Sequence, residues 1–139
     1  MGSERDPRMD GDTDISAVAI AAAIDVHREL GPGLLESAYR SCLVQELRSR
    51  GTRVETEVPL AVTYRGKRLP CGYRLDLVVE RTLIIEVKAV QALEALHMAQ
   101  LLTYLRLAAQ SLGLLINFNA PALKRGIRRV VLTSAGRQT

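Results

Sequence analysis

Tryptophan is absent from the 139 residues and phenylalanine occurs once, so aliphatic side chains must build the core. Cysteine is scarce too. Cys42 and Cys71 form no CxxC pair and no metal-ligand spacing, which argues against a thiolate-held iron–sulfur cluster and points to free thiols. No stretch approaches the roughly 20 apolar residues of a membrane span. The polar, acidic N-terminus has no apolar segment of the kind a signal peptide needs. The expected compartment is therefore the cytoplasm, with no membrane among the partners. No internal repeat or low-complexity segment occurs, and four tyrosines offer too little surface to read a single-strand stacking platform.

What is present suits one domain. The chain is 47% hydrophobic and 24% charged, an ordinary globular composition. A chain of this length can bury about two thirds of its unfolded surface, so it needs no disulfide or structural metal. Charge is unevenly spread. Residues 1–15 hold five of the 15 acids and two of the 19 bases, which leaves 10 acids against 17 bases, a net +7, beyond them. A basic body attracts polyanions, although the bias by itself is common among domains that bind none.

Residues 1–14 read as a disordered N-terminal segment, 15–133 as the folded domain and 134–139 as a flexible tail. A first helix is expected from about Ile15 to Leu30, capped by Thr13 or Asp14 and broken by Gly31-Pro32-Gly33. A second runs from about Leu34 to Arg50, with Gly51 as its stop. Strands follow over Val54–Tyr64, Lys67–Val79 and Thr82–Lys88. Arg65-Gly66 makes the first turn, Glu80-Arg81 the second, and Pro70 and Gly72 mark a bend. A long helix from about Ala92 to Ser111, a buried strand Leu114–Phe118 and a last strand Ile127–Leu132 complete an α-α-β-β-β-α-β-β order. That is an α/β layered domain with a mixed sheet.

The chemistry-bearing residues cluster on this plan. Asp76 lies near the end of one strand and Glu86 near the end of the next, with nine residues between them. A short turn makes those strands antiparallel neighbours. The period of two puts Glu86 and Lys88 on one face and Val87 on the other. Two carboxylates about 4 Å apart repel by roughly 4 kcal/mol at an effective dielectric near 20. Protonation, separation or a cation must relieve that. Mg²⁺ or Mn²⁺ suits carboxylate oxygens, water and a phosphate substrate. Lys88 beside them could hold an attacking water and offset developing negative charge.

Arg74-Leu75-Asp76 followed by Glu86-Val87-Lys88 resembles the D…ExK signature of the PD-(D/E)xK nuclease superfamily, and the α-β-β-β-α-β order is similar to its restriction-endonuclease-like core. Gly33-Leu34-Leu35-Glu36-Ser37-Ala38-Tyr39 reads GxxExxY, and the chain from about His27 to Leu132 resembles the GxxExxY proteins placed in that superfamily. Gln100-Leu101-Leu102-Thr103-Tyr104 resembles the QxxxY element of RecB-type nucleases in the same superfamily. Leu75 stands where the nominal pattern has proline, a departure many members share. The resemblance implies a catalytic set of Asp76, Glu86, Lys88, Glu36, Gln100 and Tyr104. Asp76, Glu86, the Val87 carbonyl and Glu36 would be metal ligands, Glu36 directly or through water.

Each residue also has a plainer reading. Glu36 in a first helical turn is favoured by the macrodipole. Asp76 could be a solvent-facing strand acid, and Glu86 with Lys88 a solvated pair worth about 0.5 kcal/mol. Gln100 and Tyr104 share a helix face at i and i+4, with His97 three residues before. His27 could pack or serve the site. Tyr39 is expected to pack beneath Glu36 or hydrogen-bond to it. Lys124, Arg125, Arg128 and Arg129 form a basic cluster that could contact nucleic-acid phosphates or simply be solvated. Arg65, Lys67 and Arg68 at the hairpin tip are a second candidate.

The leading expectation is a metal-dependent nuclease that hydrolyses phosphodiester bonds of nucleic acid, DNA ahead of RNA. A homodimer or larger complex would supply the specificity that so short a chain has little room for. The alternative is a nucleic-acid or protein binding module, or a partner-dependent subunit, that keeps the fold without turnover.

Overall fold

A computed structural model describes residues 7–133. The order is α1 (Pro7–Leu30), α2 (Glu36–Ser49), β1 (Val54–Tyr64), β2 (Lys67–Val79), β3 (Leu83–Lys88), α3 (Ala95–Ala108), β4 (Leu112–Asn117), a 3₁₀ turn (Leu123–Gly126) and β5 (Ile127–Val131). The five strands lie side by side in chain order. Only β3 and β4 run parallel, because α3 carries the chain from one end of the sheet back to the other; every other pair is antiparallel. The fold is a mixed α/β sheet flanked by helices, the architecture that the motifs implied.

Helical periodicity decides which faces meet. Ala19, Ala22, Ala23 and Val26 recur at helical spacing on α1 and are buried, as are Tyr39, Leu43 and Leu47 on α2. With Leu77, Val79, Leu83, Ile85, Val87, Leu114, Ile116 and Phe118 they form one core, on the α1/α2 side of the sheet. Alanines let α1 lie close to its neighbours. Leu101 and Leu105 of α3 build the second core with Leu60, Leu75, Val78, Ile84, Leu115 and Val130. Gly113 permits this approach, since a Cβ there would lie 3.1 Å from Leu101 Cδ1. Truncating Leu105 to alanine would cost roughly 2–5 kcal/mol.

Several boundaries shift from their predicted places. Helix α1 begins at Pro7 rather than near Ile15, so Thr13 and Asp14 lie within its span and not at its start; proline suits a first helical turn because it has no amide proton to leave unpaired. Residues 1–6 and the tail 134–139 lie outside the described residues. Helix α3 is shorter than expected because Glu94 and His97 close a capping box at its start and Ala109 turns left-handed at its end. Arg65 and Gly66 take positive φ, as a tight hairpin needs. The bend at Pro70 and Gly72 is a bulge. Leu60 pairs Tyr73 but Ala61 pairs Pro70, so Cys71 and Gly72 are extra.

Candidate active site

The alternation of β2 breaks at Asp76. Leu75 packs with the α3-side core and Leu77 with the α1/α2-side core, although residues two apart on a regular strand face the same way. Opposite it on β1, Glu57 has φ +50° and joins no strand pair. On its other side, pairing with β3 stops at Leu77–Ile85. From there β2 and β3 fork, and side chains take over the ladder's hydrogen bonds. The Asp76 N–H donates to Glu86 Oε2 at 3.1 Å, and the Val87 N–H donates to Asp76 Oδ2 at 2.8 Å. Each acid thus accepts from backbone on the facing strand, which fixes both carboxylates at the mouth of the fork.

The period-two expectation for β3 holds. Val87 is buried in the α1/α2-side core while Ile84 faces the α3 side, which puts Glu86 and Lys88 on the α3 side. Glu86 is only 6% exposed. Burial, reinforced by the Asp76 charge, pushes its carboxyl up to about 8; the Asp76 N–H and Lys88 pull it back, and Glu36 adds a small upward push. Without a bound cation, burial therefore favours the protonated form of this acid near neutral pH. Burial and the Glu86 charge also raise the Tyr104 phenol, so α3 brings Tyr104 within electrostatic reach of the acids.

Helix α2 delivers its part from the other face. Arg40 Nη1 lies 3.5 Å from Glu36 Oε2 and 3.5 Å from Asp76 Oδ1, so one guanidinium ties Glu36 to the fork. Arg40 was missed in the sequence. Its signal was the i,i+4 spacing from Glu36, a common helical ion pair that says nothing about a third partner. Tyr39 does something other than support Glu36. Its hydroxyl donates to the Gly31 carbonyl at 2.5 Å and accepts the Leu34 N–H at 3.1 Å, while its ring stacks on Phe118 at 4.8 Å. It closes the loop that starts α2.

Asn117 was also missed. It is buried at the end of β4, beside Lys88 in register. Its Oδ1 accepts the Val90 N–H at 3.0 Å and its Nδ2 donates to the Val90 carbonyl at 2.9 Å. The Phe118 N–H donates to the Lys88 carbonyl at 2.9 Å. Together these hold the end of the strand that carries Lys88.

Other expected residues scatter. Gln100 lies with Tyr104 on the wall of a neighbouring groove rather than in hydrogen-bond contact with the acids. His97 accepts the Glu94 N–H at 2.9 Å through Nδ1, as part of the helix cap. His27 Nε2 lies 2.8 Å from the Ala120 carbonyl and ties α1 to the loop after β4. The basic cluster divides. Lys124 and Arg125 are exposed on the 3₁₀ turn, Arg128 Nη1 donates to the Arg125 carbonyl at 2.8 Å, and Arg129 Nε donates to Ser16 Oγ at 3.1 Å. Strand alternation sends Arg128 and Arg129 to opposite faces of the edge strand.

The donor set bears on the metal. Asp76 and Glu86 offer hard carboxylate oxygens at the fork, the chemistry that Mg²⁺ or Mn²⁺ prefers. Among the described residues no three His, Cys, Asp or Glu side chains gather closely enough to hold a metal ion. The fit is therefore to an ion held by two carboxylates and otherwise by water, as is usual for Mg²⁺. Among the described residues no helix is long and apolar enough to cross a membrane.

No curated protein and no solved structure matches the chain. A family model described as the PD-(D/E)XK nuclease superfamily matches residues 13–130, from α1 to the last strand and across the whole fork. The chain belongs to the PD-(D/E)XK nuclease superfamily.

Proposed function

We propose that this protein is a Mg²⁺- or Mn²⁺-dependent nuclease of the GxxExxY kind, hydrolysing phosphodiester bonds of nucleic acid, DNA ahead of RNA. The observation that carries this reading is the reciprocal bonding of Asp76 and Glu86 at the fork, with Lys88 on the same strand face as Glu86. A strand fork that buries one acid against a second, half-buried one beside a lysine is costly unless a cation and a phosphate give it a use.

In this reading Asp76, Glu86 and the Val87 carbonyl hold the ion, and Glu36 assists directly or through water. When bound, the ion supplies charge for the phosphate and acidifies water. Lys88 holds the attacking water by hydrogen bonding and offsets charge that grows on the phosphate oxygens. The water oxygen forms the new bond to phosphorus as it gives up a proton to solvent, and the bond from phosphorus to the departing sugar oxygen breaks as that oxygen takes a proton from solvent. Gln100 and Tyr104 shape the phosphate side, and Lys124, Arg125 and Arg128 meet the backbone further out. Arg129, anchored on Ser16, has the weakest claim to such a contact. Residues 15–133 form the catalytic domain. Cys42 and Cys71 are free thiols, in keeping with a cytoplasmic protein, and assembly as a homodimer or within a larger complex would add specificity.

The test is cleavage of labelled DNA and RNA, single- and double-stranded, in Mg²⁺, Mn²⁺ or chelator. Metal-dependent cutting lost in Asp76→Ala and Lys88→Ala supports the reading. Folded protein that binds metal or nucleic acid but cuts nothing would overturn it.

A further inference from the structure

Beside the fork, β1, β2 and α3 enclose a groove of about 320 Å³, lined by Val62, Tyr73, Leu96, Gln100, Thr103 and Tyr104 among others. That volume is at the small end of ligand sites, which run from about 300 to 1,000 Å³. Two aromatic rings meet in it, a pairing that the small number of tyrosines in the sequence had argued against. Tyr73 from β2 and Tyr104 from α3 have centroids 6.0 Å apart and planes tilted by 54°. Tyr73 is 48% exposed and Leu96 65%, so the rings and the aliphatic floor are open to a visitor. The amide of Gln100 and the hydroxyl of Thr103 supply polar groups on the same wall. Tyr104 belongs to both places, since it lines the groove and feels the charge of Glu86 and Asp76.

The groove's surroundings say what kind of visitor. From Tyr64 to Leu75 the hairpin arm carries Arg65, Lys67, Arg68 and Arg74 and no acid, and all four bases are exposed. A polyanion is the complement of that arm. A flat group with a polar edge is the complement of the groove. A nucleic-acid strand offers both, provided that its base is not stacked inside a duplex.

We propose that this groove is a base-binding subsite: an unpaired nucleobase flanking the scissile phosphate stacks on Tyr73 and Tyr104 while its backbone follows the basic arm. This deepens the nuclease reading and rests on it, and it makes single strands, or ends and junctions with unpaired bases, the preferred substrate class. The extra Cys71 and Gly72 of the bulge are what bring Tyr73 opposite Leu60, on the α3 side, where it meets Tyr104.

The experiment is fluorescence anisotropy in chelator with a labelled oligonucleotide, single-stranded or annealed into a blunt duplex. Base stacking on an aromatic ring predicts that Tyr73→Ala weakens single-strand binding by roughly tenfold and changes duplex binding by less than about twofold. Tyr73→Phe should keep parental affinity. Walking one abasic nucleotide along the strand should reveal a position where the parent binds as weakly as Tyr73→Ala and the variant loses nothing further. Equal affinity of parent and Tyr73→Ala for the single strand would overturn the proposal. So would a Tyr73→Ala effect on oligomeric state without one on binding, which would make the groove a contact between copies of the chain. Because no cutting is involved, the nuclease reading is tested separately. Metal-dependent cleavage with a silent Tyr73 sinks only the subsite, and Tyr73-dependent binding without cleavage sinks only the nuclease.

Discussion

Asp25, Glu46 and Arg50 on the helical pair, and Asp76, Glu86 and Lys88 at the fork, are each two acids and one base. They differ in where they stand. Arg50 Nε donates to Glu46 Oε2 at 2.9 Å and its Nη2 pairs with Asp25, all three side chains being at least 30% exposed. The Glu46 hydrogen bond, ahead of any other influence, raises the Arg50 pKa further into its charged range. Water screens that cluster and every charge in it has a partner, so it has little free energy to give up. At the fork Glu86 is 6% exposed, and burial and Asp76 push it up to about 8. The same residue types give a solvated ornament in one place and a strained acid in the other. Desolvation makes the difference.

The largest expected effect comes from breaking the fork. Lys88→Ala and Asp76→Ala should each lower the rate of DNA cleavage by roughly 10²–10⁴-fold, Lys88→Ala with melting temperature close to the parent's and Asp76→Ala with a fall of a few degrees for the Val87 N–H it leaves unpaired, both with parental circular dichroism. Initial rates on a labelled substrate check this, and parental rates in either variant would remove that residue from the chemistry.

Glu86 carries the pH signature. Its folded pKa of about 8 lies above its usual value of 4.5, so the folded state holds a proton that the unfolded chain releases. Metal-free stability from this group is therefore full below about pH 4.5, is lost as pH rises through about 8 and is level beyond. Glu86→Gln keeps the shape without the charge. It should flatten that slope relative to the parent and stabilise the metal-free protein at pH 9 by on the order of 2 kcal/mol. Urea titrations across pH measure it, and an unchanged slope would mean that the buried acid titrates normally.

Arg40 sharpens the comparison from the other side. It shares Asp76 with any incoming cation, so Arg40→Gln should tighten Mn²⁺ binding by roughly fivefold, as the loss of a partly screened charge pair predicts. Calorimetry gives the constant, and weaker binding in the variant would make Arg40 a supporter of the metal instead. The smallest effect belongs to the exposed set. Arg50→Ala should cost about 0.5 kcal/mol or less, fading at high salt. A loss of several kcal/mol on denaturation would show that exposure is a poor guide to what a charge cluster contributes.

Much of the candidate site's geometry was legible because its spacing is local. Glu86 and Lys88 share a face by the period of two, and Val87 goes to the core by the same rule. Gln100 and Tyr104 share a helix face by i,i+4, and the order of strands and helices followed from runs such as Leu83-Ile84-Ile85. What was illegible is which of several nearby partners wins a side chain, since spacing gives the candidates and not their order. His97 was read as a member of the site face, but a capping box claimed it, because its ring nitrogen could satisfy an orphan N–H. Tyr39 was read with Glu36, but its hydroxyl turned to the Gly31–Leu34 loop. Arg128 and Arg129 read as one patch until a strand separated them.

The sequence by itself determined the strands that carry Asp76, Glu86 and Lys88 and the superfamily of the chain, since each depends on periodicity or on residues close in the chain. Only the tertiary structure decided that Arg40 lies between Glu36 and Asp76, that Asn117 holds the strand end beside Lys88, and that Tyr73 meets Tyr104 over a groove. Those arrangements depend on how two helices and a bulged hairpin close on opposite faces of one sheet. The same packing removes water from Glu86 and sets its charge, which no local pattern encodes.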